Sequence, residues 1–235
     1  MQDPGAAGSA DPGAAPAFLI VHGSFNPVHR QHIDMMIRAK ERLEEAGYDV
    51  VRGVMAMTSR EYLQRKTSRM HGGAAAMKDR HRIAMLHLAC SHLPWLTVNT
   101  SHPRFTSASN MRWQLWAEFE EEAKDATIFE VVGADTIEHY TFVRFNSIVI
   151  ERAGSCLAHL SQSILASPHY PDMNIFFVRL LEETAVECSG PNVRKALQTG
   201  NVEMVHTLCS QSVAEYLLRH SSDLYCIEGQ PAHLP

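Results

Sequence analysis

Short apolar runs alternate with longer segments in which apolar and polar residues recur with a helical period. The apolar runs predict buried β-strands at 17–21, 49–57, 95–99, 127–133, 145–152 and 174–181. The helical periods predict α-helices at 32–47, 77–92, 109–125 and 157–166, then short ones near 190–198, 201–208 and 210–220. This alternation predicts an α/β fold: a Rossmann-like, doubly wound, mostly parallel sheet of about six strands with helices on both faces.

The carboxyl ends of the predicted strands are where a ligand site is expected. Open parallel sheets bind ligands there, at the point where the strand order reverses. The loops that follow strands therefore matter most, at 22–31, 58–72, 100–108, 133–139 and 182–192. Chemically suggestive residues fall in several of these loops, which favours an enzyme site.

The length, charge and cysteine content of the chain exclude several classes of protein. The 235 residues suffice for one large domain, and a net charge of -5 with a pI of about 6.3 argues against a broad basic face for nucleic acid. No apolar run approaches the roughly 18 residues of a membrane-spanning helix. The five cysteines form no C-x-x-C pair, which is typical of free thiols in a reducing compartment. We therefore expect a cytoplasmic or nuclear protein without nucleic-acid or membrane partners.

The two ends of the chain differ in composition from the middle. Residues 1–16 are rich in Ala, Gly and Pro and lack the basic and apolar features of a targeting signal, so they are predicted to be a disordered tail. A single domain is expected over 17–226, followed by a C-terminal tail over 227–235.

The loop after the first strand, GSFNPVHRQH, has the composition of an anion site. Gly23 permits a positive φ and lets a ligand approach the backbone. His29 and His32 lie three residues apart at a helix start, where free N–H groups and the helix dipole already favour anions. Two other interpretations stay open: a plain helix start with exposed histidines, and a zinc pair, for which no third ligand is near in sequence.

Two later segments also follow predicted strands. In CSGPNVRKAL, Ser189 can cap a helix with Pro191 in its first turn, and Arg194 can hold a polyphosphate. In VVGADTIEHY, Gly133 ends a strand and Asp135 begins a helix. Each segment alone also looks like an ordinary helix start. The sequence has no P-loop, G-x-G-x-x-G or G-x-S-x-G pattern, so phosphate binding would rest on these three loops.

Together, the three segments resemble the nucleotidyltransferase superfamily whose first motif is G-x-F-x-P-x-[HT]-x-x-H, found here from Gly23 to His32. The late motif of that superfamily, Ser-Ser/Ala-Thr-x-[IV]-Arg, corresponds to residues 189–194. The chain is most similar to the eukaryotic-type nicotinamide/nicotinate mononucleotide adenylyltransferases, over about residues 17–226. Further similar stretches are VVRGVMAMTSREYLQRK, RHRIAMLHLACSHLPWLTV, VVGADT and SVAEYLLRHSSDLY.

The resemblance implies an enzyme that joins ATP to nicotinamide or nicotinate mononucleotide, with Mg²⁺ arriving on the ATP phosphates rather than in a carboxylate cage. It implies catalytic roles for His32, His29 and Arg194. It implies ATP-binding roles for Gly23, Ser24, Phe25, Asn26, Gly133, Asp135, Ser189 and Asn192. It implies mononucleotide-binding roles for Trp95, Tyr62 and Lys66. Members of this family are often homo-oligomers, so a homo-oligomer is a further expectation.

Three departures from the family pattern concern the second substrate and the phosphate site. Pro191 replaces the Thr of the late motif, TSHPRF replaces the Trp-Glu after the third strand, and the segment after GADT lacks the family's Trp. Two alternatives therefore stay open. One is another nucleotidyltransferase of the superfamily, acting on phosphopantetheine, flavin mononucleotide or a phosphoalcohol. The other is a non-catalytic nucleotide-binding protein of the same fold.

Overall fold

A computed structural model describes residues 13–69, 76–100, 117–139, 146–151, 174–179 and 187–225. Within these residues, six strands form one parallel sheet in the order β3-β2-β1-β4-β5-β6. They are β1 (Ala15–Gly23), β2 (Tyr48–Met57), β3 (Leu96–Asn99), β4 (Thr127–Gly133), β5 (Ser147–Glu151) and β6 (Ile175–Arg179). The strand order reverses between β1 and β4, so the switch point lies at the carboxyl ends of these two strands.

Helices pack against both faces of the sheet. They are α1 (Arg30–Glu45), α2 (Arg60–Arg69), α3 (Asp79–Cys90), α4 (Ala134–His139), α5 (Gly190–Gln198), α6 (Val202–Leu208) and α7 (Gln211–Arg219). The long helix α1 crosses one face and contacts β1, β2, β4, β5 and β6. Helices α3, α5, α6 and α7 contribute to the same core as α1, whereas α4 packs with β4 and β5 on the opposite face.

Alternate residues of β1 show why its sequence is apolar throughout. Leu19 and Val21 join the main core on the α1 side of the sheet. Phe18 and Ile20 face the other way and pack with Phe119, whose ring centroid lies 5.3 Å from that of Phe18. Because both faces of the sheet are covered, odd- and even-numbered residues of β1 are both buried. The strand is therefore a continuous apolar run rather than an alternating one.

The predicted fold class is confirmed, and most elements lie where the pattern placed them. The strand predicted at 127–133 coincides with β4, and the helix predicted at 190–198 coincides with α5. Helix α1 begins at Arg30 rather than at residue 32, because His29 already occupies its N-cap. The first part of the helix predicted at 109–125 lies outside the described residues, and in its described part, 117–125, residues 117–120 are helical and 121–125 form turns. The helix predicted at 157–166 lies outside them altogether.

The loop predicted at 58–72 is wrong for ten of its residues, which form α2. The segment SREYLQRKTSR has too few apolar residues to show a helical stripe, so its periodicity gives no signal. Its start does have a helix-capping residue: the Tyr62 N–H donates to Ser59 Oγ at 3.1 Å.

The predicted boundaries of the domain are only partly tested by the structure. Strand β1 begins at Ala15, so Ala15 and Pro16 belong to the sheet although they were included in the predicted tail. Residues 1–12 and 226–235 lie outside the described part of the chain, and the single domain over 17–226 stays a prediction. Within the described ranges, none of the helices combines the length and apolar character that crossing a membrane requires.

Candidate active site

A cleft of about 440 Å³ opens at the carboxyl ends of β1 and β4, where the strand order reverses. Its walls come from the turn after β1, the ends of β4 and α2, and the starts of α1, α4 and α5. Most of the predicted site residues line this cleft: His29, His32, Arg194, Gly23, Ser24, Phe25, Asn26, Gly133, Asp135, Ser189 and Lys66. The structure therefore brings together segments that are up to about 170 residues apart in sequence.

The turn between β1 and α1 is strained at Phe25, whose φ of 41° lies in a region that bulky residues rarely adopt. The positive φ that Gly23 would permit is not used there, since Gly23 is the last residue of β1 and Phe25 takes the unusual conformation instead. Gly23 makes room for the Phe25 ring, because a Cβ at Gly23 would lie 3.0 Å from two ring carbons. The buried Phe25 ring then packs edge-on against His32, with centroids 5.0 Å apart.

His29 and His32 form the first turn of α1. The N–H of His29, the N-cap residue, donates to Nδ1 of His32 at 3.2 Å. The two rings lie side by side, with centroids 3.7 Å apart. Because Nδ1 of His32 accepts this hydrogen bond, the proton of the neutral imidazole is on Nε2. The start of α1 therefore combines an imidazole N–H donor with the positive end of the helix dipole.

Cys188 contacts the His29 ring at Nδ1. Its Sγ lies 3.4 Å from Nδ1 of His29 and also contacts the Leu208 carbonyl oxygen at 3.3 Å. His29 is only 4% exposed, so its ring is fixed by packing as well as by these contacts. Burial raises the pKa of a neighbouring thiol, Cys209, to about 12, so that thiol stays protonated at neutral pH.

Asn26 presents an unpaired donor at the cleft. Its side chain is 7% exposed, and Oδ1 accepts the Met77 N–H at 2.9 Å. Within the described residues, its Nδ2 is buried without a hydrogen-bond partner. A buried donor left unpaired costs about 1–3 kcal/mol, and a ligand oxygen that accepted from Nδ2 would recover that energy.

Helix α5 brings Arg194 to the turn after β1. Ser189 caps the helix, accepting the Asn192 N–H on Oγ at 3.4 Å, and Pro191 occupies the first turn. Arg194 Nη1 donates to the Asn26 carbonyl oxygen at 2.6 Å. Burial lowers the pKa of the Arg194 guanidinium and the nearby Tyr225 acts in the opposite direction, but an arginine keeps its charge. The cleft therefore contains a fixed, partly buried cation.

Gly190 allows α5 to approach this turn closely. A Cβ at Gly190 would lie 3.1 Å from the Asn26 carbonyl oxygen and 3.4 Å from Arg194 Nη1. We expect Gly190→Ala to push the start of α5 away from the turn and weaken the Arg194–Asn26 bond. For ATP, the substrate that the resemblance implies, the KM should rise about tenfold, because overpacking of this kind costs about 1–3 kcal/mol. Steady-state kinetics measures this change.

Gly47→Ala is the control variant for Gly190→Ala. Gly47 has a φ of 85°, and no atom lies within 4 Å of the position that a Cβ would take there, so alanine introduces backbone strain without crowding. It should lower the melting temperature and leave the KM for ATP unchanged. Equal ATP KM values for the Gly190 variant and the wild type would contradict the proposed role of this close approach.

Arg82 is a residue of the site that sequence reasoning did not find. It is fully buried in α3, and its Nε donates to the Ser24 carbonyl oxygen at 2.9 Å. Its Nη2 donates to the Thr58 carbonyl oxygen at 2.8 Å, and its Nη1 to Asp79 Oδ1 at 2.8 Å. One guanidinium thus ties the turn after β1 to the end of β2. The signal in the sequence is a charged residue on the core-facing side of a helix, in RHRIAM.

Three predicted site residues lie outside the cleft lining, and Trp95 is the clearest correction. It precedes β3, at the amino end of the sheet, and its ring packs over Gly53 with Lys40 Nζ 5.8 Å from the ring centroid. The cleft is at the carboxyl ends, so a strand-leading residue cannot reach it. Asn192 instead donates from Nδ2 to the Glu187 carbonyl oxygen at 2.9 Å, and Tyr62 lies on α2 beside the lining residue Leu63.

The chain matches a known protein family over most of its length. The family model described as cytidylyltransferase-like matches residues 20–196. The chain belongs to the cytidylyltransferase-like family. This membership confirms the resemblance to nucleotidyltransferases that the three loop motifs indicated. The matched range of this cytidylyltransferase-like chain includes the turn after β1 and the first turns of α5.

Two named relatives illustrate the range of similarity. Nicotinamide/nicotinic acid mononucleotide adenylyltransferase 2 of Rattus norvegicus is 30% identical over 82 residues, which are 34% of this chain and 24% of the relative. A probable nicotinate-nucleotide adenylyltransferase of Rhodopirellula baltica is 28% identical over 156 residues, 66% of this chain and 64% of the relative. The matched region thus spans about a quarter of the first relative and less than two thirds of the second.

Solved structures share the fold of this cytidylyltransferase-like chain. The Plasmodium falciparum nicotinic acid mononucleotide adenylyltransferase complexed with NaAD superposes with a TM-score of 0.62 over 88% of this chain and 96% of that one, at 13% identity. A putative nicotinate-nucleotide adenylyltransferase from Vibrio parahaemolyticus gives a TM-score of 0.51 over 87% and 93% of the two chains, at 12% identity. At such low identity the likeness concerns the fold.

Proposed function

We propose that this chain is an adenylyltransferase that joins ATP to nicotinamide or nicotinate mononucleotide, forming the dinucleotide and pyrophosphate. The observation that carries the proposal is the convergence of His29, His32 and Arg194 on one cleft at the switch point. The names of the relatives support this choice of substrates. The Plasmodium falciparum enzyme of the same fold has been solved with NaAD and with APC, which also supports a nucleotide site.

In the proposed reaction, a phosphate oxygen of the mononucleotide attacks the α-phosphorus of ATP. The new oxygen–phosphorus bond forms while the bond to the oxygen bridging to the β-phosphate breaks, and pyrophosphate leaves with that electron pair. Nucleotidyl transfer of this kind needs positioning and charge stabilisation more than covalent help from the protein. Among the described residues, the cleft lining offers donors and a cation but no activated nucleophile, which suits this chemistry.

Each cleft residue has a role that follows from its position. His32, with its proton on Nε2, stabilises the negative charge that develops at the α-phosphate. Arg194 holds the β- and γ-phosphates at the first turns of α5, and Ser189 lines the same wall. Asn26 Nδ2 donates to a phosphate oxygen. Lys66, on α2, faces the cleft from the side of β2 and contacts the phosphate of the mononucleotide.

Mg²⁺ is expected to accompany ATP. Asp135 is the one carboxylate among the described residues that line the cleft, and no group of three or more potential metal ligands occurs in the described ranges. Such a lining fits an ion whose ligands are phosphate oxygens and water rather than a protein cage. When bound, Mg²⁺ neutralises part of the triphosphate charge. The homo-oligomer expected from the resemblance stays a prediction.

Arg194→Ala is expected to raise the KM for ATP by roughly 10- to 100-fold, because a hydrogen bond to a charged group contributes about 1.5–3 kcal/mol. The KM for the mononucleotide should change much less. Initial rates of pyrophosphate release at varied ATP measure the effect. Arg194→Lys keeps the charge but loses the planar fork, so its ATP KM should fall between those of the wild type and the alanine variant. A rise confined to the mononucleotide KM would contradict the placement of Arg194.

A different acceptor is the second candidate, and the position of Trp95 favours it. Trp95, which was predicted to bind the mononucleotide, packs against Gly53 instead. A panel of acceptors separates the two candidates: nicotinamide mononucleotide, nicotinate mononucleotide, phosphopantetheine, flavin mononucleotide and a phosphoalcohol, each with ATP and with CTP. We expect product from a pyridine mononucleotide and ATP. Turnover with another acceptor alone would replace the proposed acceptor, and ATP binding without turnover on the whole panel would favour a non-catalytic protein.

A further inference from the structure

A histidine–carboxylate pair lies at the switch point, on the opposite side of β1 from α1. His22 Nδ1 lies 3.2 Å from Glu130 Oε1. Glu130 of β4 pairs with Ile20 of β1 in the parallel register, and His22 is the next residue of β1 on the same face as Ile20. Ile20 belongs to the apolar cluster on the face opposite to α1. The pair is therefore separated by the sheet from the residues that pack under α1.

Packing alone does not account for this pair. The side chains of His22 and Glu130 are only 12% and 11% exposed. Their neighbours along the same face of β1 and β4 are apolar: Phe18, Ile20, Ile128 and Val132. Removing a carboxylate from water is costly even when it is paired, and apolar residues of similar volume often fill such positions at no loss of stability. A role in ligand contact would explain two polar residues here.

The two residues are not equivalent with respect to the cleft. His22 lines it, and Glu130 does not. The carboxylate thus lies behind the imidazole, with Oε1 3.2 Å from Nδ1 in an electrostatic contact rather than a hydrogen bond, and Nε2 is on the side of the ring away from Glu130. A carboxylate beside Nδ1 favours a proton on that nitrogen and so helps to orient the imidazole.

The position of His22 indicates which substrate it touches. In the proposed function, on which this inference rests, Arg194 and the start of α5 hold the ATP phosphates on the α1 side of β1. Side chains alternate along a strand, so His22 projects to the side of β1 opposite to Val21, which packs in the α1-side core. The substrate portion at His22 is therefore remote from the β- and γ-phosphates of ATP.

We propose that His22, positioned by Glu130, is a specificity-determining contact for the acceptor mononucleotide. Its Nε2 forms a hydrogen bond with a polar group of the acceptor nucleoside, which is either a ribose hydroxyl or the amide or acid group on the pyridine ring. Glu130 is a positioning residue that acts through the imidazole.

The matched variants are His22→Asn and His22→Gln. Asparagine places its Nδ2 near the position of Nδ1, so it keeps a donor beside Glu130 while removing the atom that reaches the ligand. Glutamine places its Nε2 near the ligand-facing position. His22→Asn should raise the acceptor KM about tenfold, the equivalent of one lost hydrogen bond, with the KM for ATP within about twofold of the wild type. His22→Gln should raise the acceptor KM less than His22→Asn does.

Variants of Glu130 test the positioning role. Glu130→Gln keeps a polar group beside Nδ1, whereas Glu130→Leu removes it. The acceptor KM should rise about tenfold in the leucine variant and clearly less in the glutamine variant. His87→Ala, on the exposed side of α3, is the control for loss of a histidine elsewhere. Melting temperatures show which variants remain folded.

Kinetics with nicotinamide and nicotinate mononucleotide show which group of the acceptor His22 Nε2 contacts. If Nε2 contacts the pyridine substituent, His22→Asn changes the ratio of kcat/KM for nicotinamide and nicotinate mononucleotide. If it contacts the ribose, both values fall by the same factor. An acceptor KM within twofold of wild type in folded His22→Asn would overturn the inference, as would a rise confined to the ATP KM. Failure of the wild type to turn over either mononucleotide would overturn the proposed function itself, so the two failures are distinguishable.

Discussion

His32→Ala is expected to lower kcat by roughly 100- to 1,000-fold, with a much smaller change in the KM for ATP. The expected size is that of losing one preorganised donor to charge that develops in the transition state. The hydrogen bond from the His29 N–H to Nδ1 fixes the proton on Nε2, and the edge-on Phe25 ring holds the imidazole in place. Single-turnover rates of pyrophosphate release measure the chemical step directly.

The control for His32 separates catalysis from helix capping. Glutamine at this position, the third residue of α1, can still accept the N-cap N–H through its side-chain oxygen. His32→Gln should therefore unfold at the same denaturant concentration as the wild type while losing most of kcat. A His32→Ala enzyme with full kcat would exclude the proposed role, whatever its stability.

Arg82→Leu is expected to lower the free energy of unfolding by about 3–5 kcal/mol. The substitution leaves the Ser24 and Thr58 carbonyl groups without the donor that joins them, in a place where Arg82 itself is 0% exposed. Each buried carbonyl group left without a donor costs about 1–3 kcal/mol, and two such groups remain. Urea denaturation followed by circular dichroism gives the value.

Arg80→Ala is the matched control on the same helix. The Arg80 side chain is 63% exposed and pairs with Asp223 at the surface, so its removal should change the free energy of unfolding by less than about 1 kcal/mol. Arg82→Lys keeps the charge without the fork and should still be clearly destabilised. If Arg82→Leu were as stable as Arg80→Ala, the guanidinium would not be the link between the two strand ends.

The fold could be predicted from the sequence because its strands are covered on both faces. The run TIFEVVG has apolar residues at both odd- and even-numbered positions, and its predicted limits coincide with β4. Helix α2 escaped prediction because Arg60–Arg69 has no apolar stripe, and its helical start rests on the local Ser59 cap. Hydrophobic periodicity detects helices by their buried face, so a mostly exposed helix gives it little to detect.

Only those parts of the site that come directly after strands could be predicted from the sequence. The turn after β1 and the start of α5 have local motifs, and both line the cleft. Arg82 and the His22–Glu130 pair have none, because their meaning depends on side chains brought together by strand pairing and helix packing. Trp95 failed for a related reason: the residue before a strand lies at the amino edge of the sheet, whereas parallel sheets bind ligands at the other edge.

Formation of a dinucleotide from ATP and each pyridine mononucleotide tests the central claim most directly. The purified chain would be incubated with ATP, Mg²⁺ and nicotinamide or nicotinate mononucleotide, and the products separated by chromatography with pyrophosphate measured in parallel. We predict stoichiometric dinucleotide and pyrophosphate with at least one of the two acceptors, and loss of both products with His32→Ala. ATP binding by the wild type without dinucleotide from either acceptor would contradict the account.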